Sequence, residues 1–284
     1  MNKKHEEELL ESAINNTLNP LQEDDTFIAG CKQCGKCCRN RNDIILNAFD
    51  VFHIAQATGK SLPEVVDKYG ESYIGESSGL PLVLLKYRED SFGTGTTCYF
   101  LGKKDDKYYC RINDKKPFVC KTYPLERLTV FEKMQNVDAF TPIYHAQVHY
   151  KEYDCIGIKE AIRTNESHTV LEWVGGKEKK ALADAFWRIY TKFLYDLDNI
   201  VDLQALVKHR DQELVHSVMN HFFNVYYLDY DLNGTEEGFL KQYKSNTENI
   251  LHMFQALVQK LPQYLKARNK SKGAKNNDGN NTGN

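Results

Sequence analysis

Apolar positions change their spacing about half-way along the chain. From about residue 160 onward they recur every three or four residues: Leu182, Phe186, Ile189, Phe193 and Leu197, then Leu214, Val218, Phe222 and Tyr226, then Leu251, Phe254, Val258 and Leu261. Such steps put side chains on one face of a helix, so this half reads as an α-helical bundle. Before residue 160 the runs are shorter. Residues 4 to 18 carry Leu9, Leu10 and Ile14 at helical spacing and stop before Asn19-Pro20. Asp50 is placed to cap a helix that turns Val51, Ile54 and Ala55 inward and stops at Gly59. Ser61-Leu62-Pro63-Glu64 starts a second short helix. Residues 81 to 88, PLVLLKYR, are short, apolar and bounded by glycine-containing loops, which suits a buried strand; further strands are expected around 107 to 112 and 127 to 133. The fold class expected is α+β: an irregular, metal-wrapped cysteine domain with short strands and helices, followed by an α-helical C-terminal half. The divisions are 1–26 (N-terminal helix), 27–160 (cysteine domain), 161–268 (helical region) and 269–284 (a polar, disordered tail).

With 41% hydrophobic residues over 284 positions, and with 17 tyrosines and 14 phenylalanines, the chain can bury an aromatic-rich core. The net charge of -2 gives no global field to draw nucleic acid or anionic lipid. The first residues, MNKKHEEELLES, lack the apolar stretch of a signal peptide, and no window is long and apolar enough for a membrane span. The expectation is a cytoplasmic protein with neither nucleic acid nor membrane as partner.

A reducing compartment turns eight cysteines from a disulfide framework into candidate metal ligands. All eight lie between residues 31 and 155. The strongest signal is GCKQCGKCC: Cys31, Cys34 and Cys37 recur every third residue, a spacing that lets a chain curl its thiolates onto one centre. Gly35 can take a positive φ and let the backbone approach closely. Cys38 follows Cys37 directly, and adjacent side chains ordinarily diverge, so the pair either strains to share one centre or serves two. Cys98, Cys110, Cys120 and Cys155 complete the candidate ligand set. Three thiolates spaced by two residues resemble the ferredoxin wrapping of a 4Fe-4S cubane more than the separated pairs of a structural zinc site, so an iron-sulfur cluster is expected, with zinc as the alternative.

Other motifs fall short. Gly93-Thr94-Gly95 lacks the lysine of a phosphate loop and reads as a turn. The cysteine spacing does not match that of radical chemistry on S-adenosylmethionine, since Arg41 stands where a third cysteine would be needed. His216 and His221 share no helix face well, and His145 and His149 read as surface or core residues. His53, just after the cysteine run, is the one histidine placed to matter.

The order of motifs resembles the CxxCxxCC proteins, a family of zinc- or iron-chelating or YkgJ-type cysteine-cluster proteins. Those motifs are Cys98-Tyr99-Phe100-Leu101, Cys110-Arg111-Ile112, Lys116-Pro117-Phe118-Val119-Cys120-Lys121-Thr122-Tyr123-Pro124 and Cys155-Ile156-Gly157. The resemblance covers about residues 27 to 160 and puts each cysteine on a motif position. Lys116 and Lys121 replace the usual arginines, Asn113 a common tyrosine and Ile156 a proline. Because the family includes flagellin lysine N-methylases, the resemblance also implies lysine methyl transfer from S-adenosylmethionine to a protein such as flagellin. A redox protein and a zinc-stabilised interaction module are the other readings, and nothing in residues 161–284 spells a methyl-donor site.

Overall fold

A computed structural model describes residues 21–90, 95–128, 143–146 and 155–277. The expected helix over residues 4–18 and the turn at 93–94 lie outside them. The strands are β1 (Thr26–Ile28), β2 (Ile45–Leu46), β3 (Gly70–Ile74), β4 (Pro81–Leu85), β5 (Tyr87–Glu89), β6 (Thr96–Cys98), β7 (Leu101–Lys104), β8 (Lys107–Cys110), β9 (Leu125–Leu128), β10 (Ile143–Ala146) and β11 (Ser167–Thr169). The helices are α1 (Ala48–Thr58), α2 (Leu62–Tyr69), α3 (Phe118–Thr122), α4 (Ile156–Thr164), α5 (Val170–Val174), α6 (Lys177–Ile200), α7 (Leu203–Val207), α8 (Gln212–Phe223) and α9 (Glu236–Asn277). The fold is α+β with a helical C-terminal half, and its strands form small antiparallel sheets: β2-β4-β3, β5-β6, β7-β8, β9-β10 and β1-β11.

Local chemistry explains the first two helices. Asn47, not Asp50, caps α1. The Asn47 side chain accepts from the Asp50 N–H, and the Asp50 carboxylate accepts from the Asn47 N–H, a reciprocal box with Asp50 three residues inside. Gly59 ends the helix at φ 64°, a left-handed position that costs glycine little. Ser61 and Glu64 form a second such box, with Pro63 in the first turn of α2. The expected strand at 81–88 is divided into β4 and β5. In β4, Pro81, Val83 and Leu85 point inward, as the two-residue period of a strand requires.

The aromatic core crosses the boundary between the two halves without a break. Phe49 and Phe52 of α1 lie 4.8 and 4.7 Å, centroid to centroid, from Phe239 of α9. Phe186 of α6 stands 5.6 Å from Phe49 and 4.8 Å from Tyr243. The Tyr227 hydroxyl donates to the Leu46 carbonyl. Strand β1 pairs with β11, so the entrance to the cysteine segment is stitched to the start of the helical half.

Two helical faces differ from the periodic reading. A π turn over Asn224–Leu228 buries the consecutive rings of Tyr226 and Tyr227. Its wider spacing strands carbonyls, and the Asn246 side chain donates to two of them, Val225 and Asp229. In α9 the buried face carries Phe239, Tyr243, Ile250 and Phe254, whereas Val258 is 44% exposed because the core ends one turn earlier. The Leu261 side chain lies outside the described residues. The backbone stays helical to Asn277, through part of the stretch whose composition suggests a tail, since extending an existing helix carries no nucleation cost.

A shared core should melt as one unit. Phe239→Ala is expected to cost about 3–5 kcal/mol. In urea, thiol accessibility in the cysteine segment and helical circular dichroism should change in a single transition. Two separated transitions would show that the halves fold independently.

Candidate metal centre

Backbone hydrogen bonds dock the cysteine run onto two hairpins. Asn40 N–H donates to the Thr96 carbonyl at 2.9 Å, and the Thr96 N–H donates back to the Asn40 side chain at 2.8 Å, next to β6 and Cys98. The Tyr108 N–H donates to the Gln33 carbonyl at 2.8 Å, fixing the run against β8 and Cys110. Gly35 takes φ 71°, as its position between cysteines suggests, and a side chain there would also strike the Tyr108 ring. It opens the tight turn Lys36–Cys38. In such a turn successive side chains stand about 120° apart rather than opposed. The Cys37 and Cys38 sulfurs accordingly come within 3.8 Å of each other instead of diverging.

Around that pair lie Cys98, Cys110 and Cys120, each close enough to Cys37 for their charges to interact. Five thiols from four separate segments therefore share one neighbourhood. The sulfur contact between Cys37 and Cys38 lowers Cys37 to about 6 and raises Cys38. Lys116 and Arg41 also favour the Cys37 thiolate, and Arg41 is itself held by both oxygens of Asp43 at 2.6 Å. Burial pushes Cys98 up to about 11 and raises Cys110 and Cys120.

Cys31 is exposed, and Cys34 and Cys155 are half-buried. The backbone brings Cys155 towards Cys31. Gly157, two residues after Cys155, packs on Gly30 and Cys31 so tightly that an added Cβ would overlap the Gly30 carbonyl oxygen.

Two residues central to the site carry no motif signature. Asp50 is 3% exposed, and its Oδ1 accepts from the Phe118 N–H at 2.8 Å, tying α1 to the helix that carries Cys120. Its only trace in the sequence is the Asn47-x-x-Asp50 box spacing. Tyr87 pairs with Cys98 across β5-β6, and burial followed by the nearby Cys98, Cys120 and Cys38 raises its phenol; only the strand register reveals it. The Trp173 indole of α5 donates to the Thr122 and Tyr123 carbonyls, so the helical half holds the other end of α3.

His53 does not join the thiols. Its Nε2 lies 2.7 Å from Glu236 Oε1, which also accepts from Lys115 at 2.6 Å. These two partners hold Glu236 down at about 2, while burial lowers His53. His216 bonds to Asn220, and His221 is exposed. His145 lies in β10, and His149 lies outside the described residues.

The donor set suits a soft, thiol-seeking metal. In a tetrahedral site with metal-sulfur bonds of about 2.3 Å, ligand sulfurs stand roughly 3.8 Å apart, which matches the Cys37–Cys38 pair. Among the described residues no three Cys, His, Asp or Glu side chains already enclose a space for one ion. The comparison with protein families agrees with the donor chemistry. Residues 30–142 match the CxxCxxCC family model. Its description is "Putative zinc- or iron-chelating domain", and the match takes in every cysteine but Cys155. No curated protein and no solved structure is significantly similar to the chain. Among the described residues, no helix is long and apolar enough to cross a membrane.

Asp50 should give the cysteine domain a measurable pH signature. Burial raises its carboxyl to about 7, against two backbone donors that favour the charged form. The folded chain then holds a proton that the unfolded chain releases at an ordinary carboxylate pKa. The stability contribution of Asp50 is therefore fullest below that value and falls as pH rises to about 7. Asp50→Asn should flatten that slope in denaturation curves at successive pH values. Asp50→Ala leaves the Phe118 and Asn47 N–H groups without an acceptor and should cost on the order of 3 kcal/mol.

Proposed function

We propose that the chain is a metal-chelating protein whose thiols hold an iron-sulfur cluster. Cys37, Cys38, Cys98, Cys110 and Cys120 form the primary group, and Cys31, Cys34 and Cys155 complete the donor set. The observation that carries this reading is the convergence of five thiols from four segments on one neighbourhood. One zinc ion takes four ligands, so the excess favours a polynuclear centre. A bound cluster supplies one-electron transfer and a cross-link between the segments.

The chain's own residues account for the rest. The two hairpins and α3 present thiols from separate stretches, and Asp50 and Trp173 fix α3 at both ends. Lys116 and Arg41 offset the negative charge that ionised thiols accumulate. Because the donors beyond the Cys37–Cys38 pair do not enclose an ion, loading draws them inward, and the binding free energy becomes folding free energy for the segment. Zinc is the second reading, favoured by the 3.8 Å sulfur separation alone.

Protein purified without oxygen should be brown, absorb broadly at about 400 nm and contain acid-labile sulfide. Cys37→Ala and Cys120→Ala should each lose the colour and lower the melting temperature. Colourless anaerobic protein with stoichiometric zinc and no sulfide would replace the iron reading with the zinc one. Unchanged metal content in both variants would remove these residues from the site.

A further inference from the structure

Beside the thiols, a cleft lies between α3, the first turns of α6 and the start of α1. Its volume is about 70 Å3. At roughly 10–15 Å3 for each water-sized atom, it holds about five heavy atoms. Lys116, Lys121 and Lys179 line it, and Lys116, Lys179 and the neighbouring Lys115 all act on the Lys121 ammonium.

Most other charges in the cleft are matched. Glu236 is engaged by His53 and Lys115, and Lys180 by Asp184 at 2.6 Å and Glu23 at 3.0 Å. Asp50 accepts two backbone N–H bonds. None of Lys116, Lys121 and Lys179 makes an ion pair among the described residues, and Asp114 is the remaining carboxylate of the lining. Even with Lys116 shared with the Cys37 thiolate, positive charge is left in excess. It is also placed against the grain of the fold, because Lys179 stands in the first turn of α6, where the helix's own positive end disfavours a cation.

We propose that this cleft is a binding site for a small multivalent oxyanion of the phosphate class. Three ammonium groups are point charges free to surround a tetrahedral ion, whereas a planar carboxylate is better matched by the fork of arginine. The space admits an ion of that size. The proposal does not depend on which metal the thiols hold.

The test is calorimetric titration of the full chain with inorganic phosphate, with metal content measured in every sample. The expected result is saturable binding of one phosphate per chain and a markedly weaker response to acetate at matched ionic strength. Lys179→Glu should weaken phosphate binding about ten-fold or more, with metal content and melting temperature retained. Lys192→Gln, further along the same helix and paired with Asp196, should bind like the parent. If Lys179→Glu is unstable, Lys179→Gln replaces it, with a smaller loss expected. Absence of saturable phosphate binding, an affinity that both Lys179 substitutions leave unchanged, or acetate binding as tight as phosphate would overturn the proposal.

Discussion

The candidate centre depends on a buried carboxylate. Asp50 closes the first turn of α1 and, with its other oxygen, accepts the first N–H of the helix that carries Cys120. A buried carboxylate without donors would be costly, and two unsatisfied N–H groups equally so, so each group answers the other. The bond fixes the position of one thiol relative to a helix whose other faces are committed to the core. The hairpins bearing Cys98 and Cys110 can then be arranged about a stationary reference.

The helical half serves the centre through packing. Phe186, Phe239 and Tyr243 give α1 its footing, and Trp173 reaches back to the carbonyls at the end of α3. The cysteine segment buries its own apolar residues, Leu46, Val51, Phe52 and Val83 among them, in the same core as the long helices. The thiols themselves sit in graded environments, from exposed Cys31 and Cys37 to buried Cys98.

Much of this was legible in the residues. Period and caps disclose α2, the end of α1 and the helical half, because those signals are local. The cysteine spacing points to thiol chemistry for the same reason, and Gly35 adopts the conformation its place requires. Tertiary constraints escape such a reading. Asp50 reads as a cap because its second partner, Phe118, is distant in sequence. Whether Cys37 and Cys38 share one centre or diverge to two is open until the turn that Gly35 opens is known. The grouping of Cys37, Cys38, Cys98, Cys110 and Cys120 depends on strand register, and Val258 is exposed only because the body packed on α9 ends before it.

The stacking of Phe49 and Phe52 on Phe239 also has a temporal side. A polypeptide is made from its N-terminus, and Phe239, the ring that completes this stack, is made after every cysteine. Until then the nascent cysteine segment holds all of its thiols but lacks the ring that packs on its first helix. The thiols are therefore complete on the nascent chain before the ring that packs on their first helix has been made.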